Sequence, residues 1–551
     1  MAQHASRVEN YQSCPKFYVC INSWLKFTSG YAALLSQRRE GGTGITRGSL
    51  TVILNRWILT NYTNCRCPIA ALHTAFLYLD QSKPLLATAS RIIDSKTNFK
   101  PLLWLAIPVV IEQFLVLFVT WTDHWLTAKY LRTEHLAAIN LTAYILWVIP
   151  CIFGIIGVGA TALVSRYFGA GKYRDASYVT NQAITLALVM LTVITAIAWL
   201  YADSLITIMQ LPDDATQAAI IYFRIVIPGI PFAILHMIGN ACLRGAGDIM
   251  SGFITMFIVN VVNVILSLCL VTGYGPFPEL GWDGIAYGTA IGYMVGGTII
   301  IGFLVKGRFH LKLTLSKMKP DWDVLTRLLK IGVPGGIDMM CMVMFQMWFL
   351  AIINSLGSVQ AAAHGTAIRI EAMAYLPGHA FSIAATTLVG QFLGANRPDR
   401  ATRSILLACG WGGTLMVGAG AAFYFGAEAL TGLFIGDHTR EAVTLAAPLI
   451  QIVAISMPAL AIVIIMTGAL RGAGDTKWPL LFSIIGLLGI RIPLAYYLCW
   501  ETIHIPFTDI VLEGMNLGVR GAWYAMVVDI FIRSVLVFAR FLHGGWKTIR
   551  V

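Results

Sequence analysis

From residue 100 onward, long apolar segments alternate with short polar loops. Each segment has about 20 residues or more, enough to cross the hydrocarbon core of a bilayer as a helix. A helix also satisfies its own backbone hydrogen bonds in lipid. The pattern therefore predicts an all-α polytopic membrane protein with twelve transmembrane helices. The predicted spans are 101–122, 137–165, 177–200, 218–243, 252–272, 284–305, 324–353, 362–393, 404–426, 443–470, 479–500 and 519–541.

Six of the prolines inside these segments are candidate kink sites. Bundled membrane helices tolerate proline, because neighbouring groups satisfy the carbonyl oxygens that it leaves free. We expect each proline to mark a kink. They are Pro150, Pro228, Pro231, Pro377, Pro458 and Pro493.

The second half of the chain repeats the first at a nearly constant offset in the numbering. The sequence L-R-G-A-G-D occurs at 243–248 and again at 470–475. I-P-V-V-I-E at 107–112 corresponds to V-P-G-G-I-D at 333–338, and F-G-A-G-K at 168–172 to L-G-A-N-R at 393–397. An internal duplication is therefore the first feature that a fold must explain.

Composition places this repeat in a membrane. Hydrophobic residues make up 57% of the chain and charged residues 12%, and the mean hydropathy is +0.72. Soluble domains carry about 25% charged residues, so an ordinary soluble protein is excluded. The ten cysteines are mostly scattered singly through apolar segments, a pattern typical of small buried side chains rather than of a disulfide framework.

Residues 1–95 differ from the rest. The first ninety carry nine Lys and Arg against three Asp and Glu, half of the net charge of +12. Their apolar runs are too short to span a bilayer. We expect a poorly ordered basic extension, produced by a start site assigned too far upstream, or a flexible tail beside an anionic membrane surface.

Basic residues are distributed asymmetrically between the loops. The loops and tail on one side of the predicted bundle hold nineteen Lys and Arg, and the opposite loops hold four. By the positive-inside rule, both ends of the bundle are predicted to be cytoplasmic. The basic connector 306–323 divides the bundle into an N lobe, 96–305, and a C lobe, 324–551. Each lobe has six spans, which is an even number, so both lobes have the same orientation in the membrane. A pseudo-twofold axis along the membrane normal relates them.

The duplicated L-R-G-A-G-D motif closes a span in each half. Its glycines suit a left-handed helix cap, and its charges suit anchoring at the headgroups. We expect a cytoplasmic helix-end hinge without substrate contact. Its residues are Arg244, Gly245, Gly247 and Asp248 in the first copy and Arg471, Gly472, Gly474 and Asp475 in the second.

Three features together resemble the multidrug and toxic compound extrusion family. They are the duplicated motif, the run P-G-H-A-F-S-I-A-A-T-T-L-V-G-Q at 377–391 and the acid Asp123 at the end of the first span. The resemblance covers about residues 101–545. It implies two six-helix lobes around a V-shaped cavity, which export organic cations or other amphiphiles in exchange for protons or Na⁺.

Three acids inside the predicted spans are candidates for cation or proton coupling. Glu112 lies mid-span in the first helix, and Asp123 follows eleven residues later on nearly the same face, about 16 Å along the axis. Asp338 repeats the position of Glu112 in the second half. An intramembrane charge costs at least about 2.5–3.5 kcal/mol and needs a reason. A coupling role competes with a satisfied hydrogen bond between helices.

The remaining intramembrane charges need partners. Glu371 is a fourth candidate for coupling, and Arg491 is expected to pair with Glu371 or Asp338. Asp529 and Arg533 are spaced i,i+4 and are expected to pair with each other. The other expected structural partners are Arg224, which would neutralise Asp123, and Arg369.

Polar and adaptable side chains within the spans are candidates for a substrate cavity, although ordinary helix packing is the competing interpretation. They are Gln113, Asn260, Asn263, Met344, Gln346 and Tyr375. Sodium-coupled relatives have an acid in the tenth span, whereas 443–470 contains none. This departure favours proton coupling.

The predicted function is a secondary multidrug antiporter in the inner membrane. A lipid-linked sugar flippase is the alternative, although it needs a cationic cavity. A channel fits duplicated halves less well, and the chain has none of the common hydrolase or Walker motifs. We expect no cofactor or metal beyond the coupling ion, no nucleic-acid partner, and a monomer.

Overall fold

The computed structural model describes residues 98–207, 212–435, 440–504 and 511–549. The predicted extension at residues 1–95 lies outside this range. The described chain is almost entirely helical. Its helices are α1 (Phe99–Tyr130), α2 (Thr133–Gly169), α3 (Tyr173–Leu200), α4 (Ala202–Thr207), α5 (Asp213–Val226), α6 (Ile230–Gly245), α7 (Met250–Thr272), α8 (Trp282–Lys306), α9 (Trp322–Ser355), α10 (Ser358–Gly394), α11 (Pro398–Ile435), α12 (Arg440–Gly472), α13 (Lys477–Ile484), α14 (Ile492–Cys499) and α15 (Val519–His543).

Ten helical segments among the described residues are long and apolar enough to cross a membrane. Polar and charged residues interrupt the apolar runs of α10 and α15, but these helices have 37 and 25 residues and complete the set of twelve. Two spans are composite. The fourth consists of α5, a 3₁₀ turn at Ile227–Gly229 and α6, and the eleventh of α13, a π-helical segment at Ile485–Arg491 and α14. The all-α polytopic fold with twelve spans is therefore present.

Proline explains the break in the fourth span. Pro228 and Pro231 each remove a backbone donor and clash with the preceding turn, so the helix tightens to 3₁₀ geometry between them. By contrast, α2 and α10 continue through Pro150 and Pro377. The kinks expected at Pro150 and Pro377 stay predictions. A short hairpin of Thr502–His504 and Val511–Glu513, which the hydrophobic pattern does not predict, joins the last two spans.

The two halves meet at the end of the bundle that carries the R-G-A-G-D motifs, here named the motif end. In one apolar cluster, Leu102 and Leu105 of α1 pack with Leu388 and Phe392 near the end of α10. The first part of α10, up to Ala374, packs instead in a cluster of second-half residues alone. The lobes therefore separate toward the opposite, or far, end. The space between α1–α2 and α9–α10 at the far end is named the cleft.

Glycines allow the two halves to approach closely at the motif end. A Cβ on Gly332 of α9 would lie 1.9 Å from the carbonyl oxygen of Ile155 on α2. A Cβ on Gly169 would lie 2.0 Å from the carbonyl oxygen of Gln391, and one on Gly394 2.1 Å from that of Arg166. Any larger residue at these positions would force the helices apart.

The connector between the lobes is held against α3. The Ser177 hydroxyl and the Asn181 amide both donate to the carbonyl oxygen of Lys312, at 3.0 and 2.8 Å. The buried Gln182 amide donates to the carbonyl oxygens of Lys317 and Lys319, and its oxygen accepts from the backbone N–H of Asp321. The Tyr178 hydroxyl donates to the Asp321 carboxylate at 3.0 Å and holds the pKa of that carboxyl below its ordinary value. The connector is therefore a strap on the surface of the first half.

Candidate functional site: buried charges of the two lobes

The first buried charge site joins α1 to the end of α6. The Glu112 side chain is 3% exposed, and its Oε1 accepts hydrogen bonds from Arg244 at 2.7 Å and from Asn240 at 3.0 Å. Its other oxygen has no partner among the described residues. Arg244 belongs to the first R-G-A-G-D motif. Glu112 is therefore part of an ion pair and is not the free carboxylate that the sequence suggested.

The second half repeats this arrangement. Asp338 of α9 is fully buried, and its Oδ2 accepts a hydrogen bond from Arg471 of the second motif. Asp338 is the repeat equivalent of Glu112 and Arg471 that of Arg244, so the ion pair is duplicated together with the sequence. The expectation that the motif arginines only anchor helix ends at the headgroups is wrong, because both reach back into the bundle.

The aspartates of the motifs bind a further helix in each lobe. Asp248 accepts from Arg308, just beyond α8, at 2.6 Å, and Asp475 accepts from Arg540 near the end of α15 at 2.9 Å. Burial raises the pKa of Asp475, and the hydrogen bond and charge of Arg540 oppose that rise. Each R-G-A-G-D motif thus connects the first, fourth and sixth spans of its lobe through one arginine and one aspartate.

The glycines of the motif have two different roles. Gly247 and Gly474 have φ values of +92° and +85°, the left-handed conformation that lets the chain turn out of the helix. Gly245 and Gly472 provide close approach: a Cβ on Gly472 would lie 2.2 Å from the carbonyl oxygen of Thr386. The predicted left-handed cap therefore falls on the second glycine of each copy.

A third charge site lies within the second half. The fully buried Asp529 accepts hydrogen bonds from Arg533 at 2.7 Å, the i,i+4 pair expected from the sequence, and from Arg491 at 2.9 Å. The prediction that Arg491 pairs with Glu371 or Asp338 is wrong. The π-helical segment that ends at Arg491 packs against α15, which brings the guanidinium to Asp529.

Asp123 differs from these paired acids. Its side chain on α1 is 5% exposed, and Oδ2 accepts from the Thr289 hydroxyl of α8 at 3.0 Å. Asn263 of α7 donates to the same hydroxyl at 3.3 Å. The Asp123 Oδ1 has no hydrogen-bond partner, and no basic group within the described part of the chain forms an ion pair with Asp123. The predicted neutralisation by Arg224 is wrong, because Arg224 pairs with Asp203 on the surface at 2.7 Å.

Glu371 is an acid within a span of the second half and is not the repeat equivalent of Asp123. It is partly buried on α10, and within the described ranges it makes no ion pair closer than 4.0 Å. Arg491 acts on it electrostatically from the neighbouring span while remaining bonded to Asp529. Asp123 in the first half and Glu371 in the second are therefore intramembrane acids that form no ion pair within the described residues.

The predicted cavity residues separate into different environments. Gln346 on α9 is half-buried and lies about five helical turns beyond Leu328, whose backbone touches Gly159 of the other half. Met344 is 64% exposed on the opposite side of α9, in a stripe with Ile337 and Trp348. Because side chains that face lipid and side chains that face a cavity are both exposed, the prediction that Met344 lines the cavity stays a prediction.

The other candidates are placed as follows. Asn260 and Asn263 are buried inside the first half, and the Oδ1 of each has no partner among the described residues. Tyr375 is 37% exposed and stacks on His379 one turn later, and Gln113 is half-buried beside Glu112. In the described part of the chain, no group of three His, Cys, Asp or Glu side chains is arranged to hold a metal ion.

Hydrogen bonds between the lobes form a set that the sequence analysis missed. From α10, the Thr387 hydroxyl and the Gln391 amide donate to the carbonyl oxygens of Arg244 and Gly245, both at 3.0 Å. From α2, Arg166 donates to the carbonyl oxygen of Ala473 at 3.3 Å. Arg166 lies three positions before the first glycine of F-G-A-G-K, and Gln391 lies three positions before the glycine of L-G-A-N-R. The two residues are therefore equivalent in the repeat. Each donates to the R-G-A-G-D motif of the other lobe. The repeat itself is the signal that identifies them.

These features define a class: two-lobed polytopic membrane transporters, with duplicated buried charges below a cleft. The family model MatE matches residues 108–269 and again residues 334–497, together more than half of the chain. The two matches correspond to the two repeats. The protein belongs to the MatE family of multidrug efflux transporters.

Individual relatives agree with this assignment. The chain is 26% identical over 451 residues to the probable multidrug resistance protein NorM of Thermotoga maritima, covering 81% of this chain and 93% of that one. It is 24% identical to the probable multidrug resistance protein YoeA of Bacillus subtilis, covering 84% and 98%.

Solved structures share the fold. A MOP superfamily transporter from Pyrococcus furiosus superposes with a TM-score of 0.74 at 21% identity, covering 82% of this chain and 97% of that one. The Vibrio cholerae MATE transporter VcmN has a TM-score of 0.72 at 19% identity, covering 81% and 96%. The twelve helices therefore form two six-helix lobes related by a parallel repeat.

Proposed function

We propose that this protein is a secondary antiporter that exports organic cations and other amphiphilic drugs in exchange for protons or Na⁺. It acts as a monomer in the cell's inner membrane, with both termini in the cytoplasm. The distribution of basic loop residues supports this orientation. In that orientation the motif end faces the cytoplasm and the cleft opens outward.

The observation that carries the proposal is the environment of Asp123. A carboxylate in the membrane interior is costly unless it is paired or neutralised. Asp123 is 5% exposed, one of its oxygens is bonded to the neutral Thr289, and the other has no partner among the described residues. Such a group is stabilised when it takes up a proton or a small cation. It releases that ion again when the lobe opens to water.

Glu371 supplies a second acid of this kind in the C lobe. By contrast, Glu112, Asp338 and Asp529 each hold an arginine at hydrogen-bond distance. Removing the cation from a buried pair costs about 3–5 kcal/mol, so these three acids are poor sites for reversible binding of an ion. The coupling role therefore falls to Asp123 and Glu371, whereas Glu112 and Asp338 hold their lobes together.

Alternating access is supported by the location of the cross-lobe contacts. They lie at the motif end, where few hydrogen bonds and close glycine contacts join α2, α9 and α10. Each lobe has its own buried ion pairs around its R-G-A-G-D motif, so the lobes can move as rigid bodies while their interiors stay intact. The lipid-linked sugar flippase is not favoured, since the similar proteins above are named multidrug resistance proteins.

Everted membrane vesicles test the proposal. Respiration acidifies the vesicle lumen, and ethidium is then added to vesicles with and without the full-length protein. We expect ethidium to trigger proton efflux, or Na⁺ efflux from sodium-loaded vesicles, only where the protein is present. Ion flux that does not depend on ethidium would indicate a channel, and the absence of any ethidium-dependent flux would contradict antiport.

A further inference from the structure

The cleft contains a cationic side chain, Arg369 of α10. Arg369 is exposed, although it lies within a membrane-spanning helix. No hydrogen bond or ion pair holds it among the described residues, whereas Arg244, Arg471, Arg491 and Arg533 of the same bundle are all paired. A guanidinium in this environment must therefore face water or a ligand.

The periodicity of α10 shows which way Arg369 points. Thr387 and Gln391 touch the other lobe, and so define the side of α10 that faces it. Arg369 lies 18 positions before Thr387, and Met373 lies 18 positions before Gln391. That separation is about five full helical turns, or about 27 Å along the axis. Arg369 and Met373 therefore project from the same side of the helix, above the point where the lobes close, and face the cleft.

The facing helices offer no acid at the corresponding positions. On α9, Gln346 lies about five turns beyond the lobe contact at Leu328. On α2, Val148 and Leu141 lie about five turns before the contact residues Arg166 and Gly159. Glu371 lies nearly opposite Arg369 around α10, and Asp123 is buried against Thr289 inside the N lobe.

The repeat shows that Arg369 is particular to one lobe. Arg166 and Gln391 are equivalent positions of the two repeats, and Arg369 lies 22 positions before Gln391. The residue 22 positions before Arg166 is Tyr144. The duplicated ion pairs are therefore common to both lobes, whereas the cleft arginine is not.

We propose that Arg369 binds a carboxylate of the transported molecule, so that the cleft selects amphiphiles that carry a carboxylate. This inference rests on the proposed export function and specifies its substrate class. A guanidinium binds a carboxylate through two parallel N–H···O bonds, which are about twice as strong as neutral hydrogen bonds. Exposed Met373 beside it provides an adaptable apolar contact for the body of the substrate.

Two probes that differ in one charge test this. Ciprofloxacin carries a carboxylate, and its methyl ester does not. Binding of each to the purified full-length protein in nanodiscs is measured by fluorescence anisotropy, for the wild type, Arg369→Gln and Arg369→Lys. Arg224→Gln is the matched control, because Arg224 is exposed but lies in a surface pair with Asp203.

We expect the wild type to bind ciprofloxacin about tenfold more tightly than the ester. Arg369→Gln should weaken ciprofloxacin binding about tenfold and leave ester binding unchanged, which abolishes the preference. Arg369→Lys should retain part of the preference, and Arg224→Gln all of it. Equal binding of both probes by the wild type, or an equal loss for both in Arg369→Gln, would overturn the inference.

The ethidium assay separates this inference from the proposed function. If wild-type vesicles exchange ethidium for protons but the protein shows no preference for the carboxylate, the role of Arg369 is refuted and antiport stands. If ethidium triggers no ion flux while the Arg369-dependent preference is present, antiport is refuted and the binding site stands.

Discussion

Glu112 and Arg244 are far apart in the sequence and 2.7 Å apart in the structure. Their repeat equivalents, Asp338 and Arg471, form the same pair in the second half. Each pair joins the first span of its lobe to the fourth. The aspartate four positions after each arginine then joins the motif to the sixth span. The duplicated R-G-A-G-D motif is thus a charge clamp that holds three helices of one lobe together.

Neutralising Glu112 should destabilise the protein rather than uncouple it. Glu112→Gln leaves Arg244 mostly buried without its counter-charge, and breaking a buried pair costs about 3 kcal/mol. We expect a clearly lower unfolding midpoint in detergent, measured by intrinsic fluorescence. The double variant Glu112→Gln/Arg244→Gln should recover part of the loss. An unchanged midpoint in Glu112→Gln would show that the ion pair contributes nothing to stability.

The cross-lobe hydrogen bonds should hold the motif end closed. Thr387→Val removes the bond to the carbonyl oxygen of Arg244 and costs about 1 kcal/mol. We expect faster hydrogen exchange at residues 244–248 and 387–394, because the motif end opens more often. Thr386→Val is the matched control, since its hydroxyl bonds Gly468 within the same lobe. If the two variants exchange alike, Thr387 has no special part in closure.

The strap between the lobes should depend on Gln182. This side chain is fully buried and satisfies the carbonyl oxygens of Lys317 and Lys319 and the backbone N–H of Asp321. Gln182→Leu leaves these groups without partners, at about 1–3 kcal/mol. We expect trypsin to cleave after Lys317 several times faster than in the wild type. Thr192→Ala on the same helix, whose hydroxyl bonds only Leu188, should not change the rate. Equal rates in Gln182→Leu and the wild type would mean that other contacts hold the strap.

The sequence predicts the architecture better than it predicts the contacts between side chains. Hydrophobic segments of membrane length are local features, and the repeat offset relates the two halves without any knowledge of the fold. That offset also identifies which positions are equivalent, as with Glu112 and Asp338. It does not identify the partner of either acid. The sequence suggests Arg224 as the partner of Asp123 and leaves Arg244 at the headgroups, whereas the packing of α6 against the bundle brings Arg244 to Glu112.

The cavity residues were predictable only in part, for a related reason. A polar residue within a span is expected to avoid lipid, and Gln346 is half-buried on α9. Methionine tolerates lipid, cavity and core equally, so the sequence carries no signal that separates Met344 from its neighbours. The direction of a helix face becomes known only when a contact fixes it, as Leu328 against Gly159 does for α9.

The central claim is that Asp123, the buried acid without a cation, carries the coupling, whereas the paired acids maintain the structure. The most direct test is ethidium-triggered ion flux in everted vesicles that contain equal amounts of the wild type, Asp123→Asn and the surface control Asp203→Asn. The account predicts that Asp123→Asn keeps its unfolding midpoint and loses the ethidium-dependent flux, while Asp203→Asn retains it. Wild-type flux in Asp123→Asn would contradict the account.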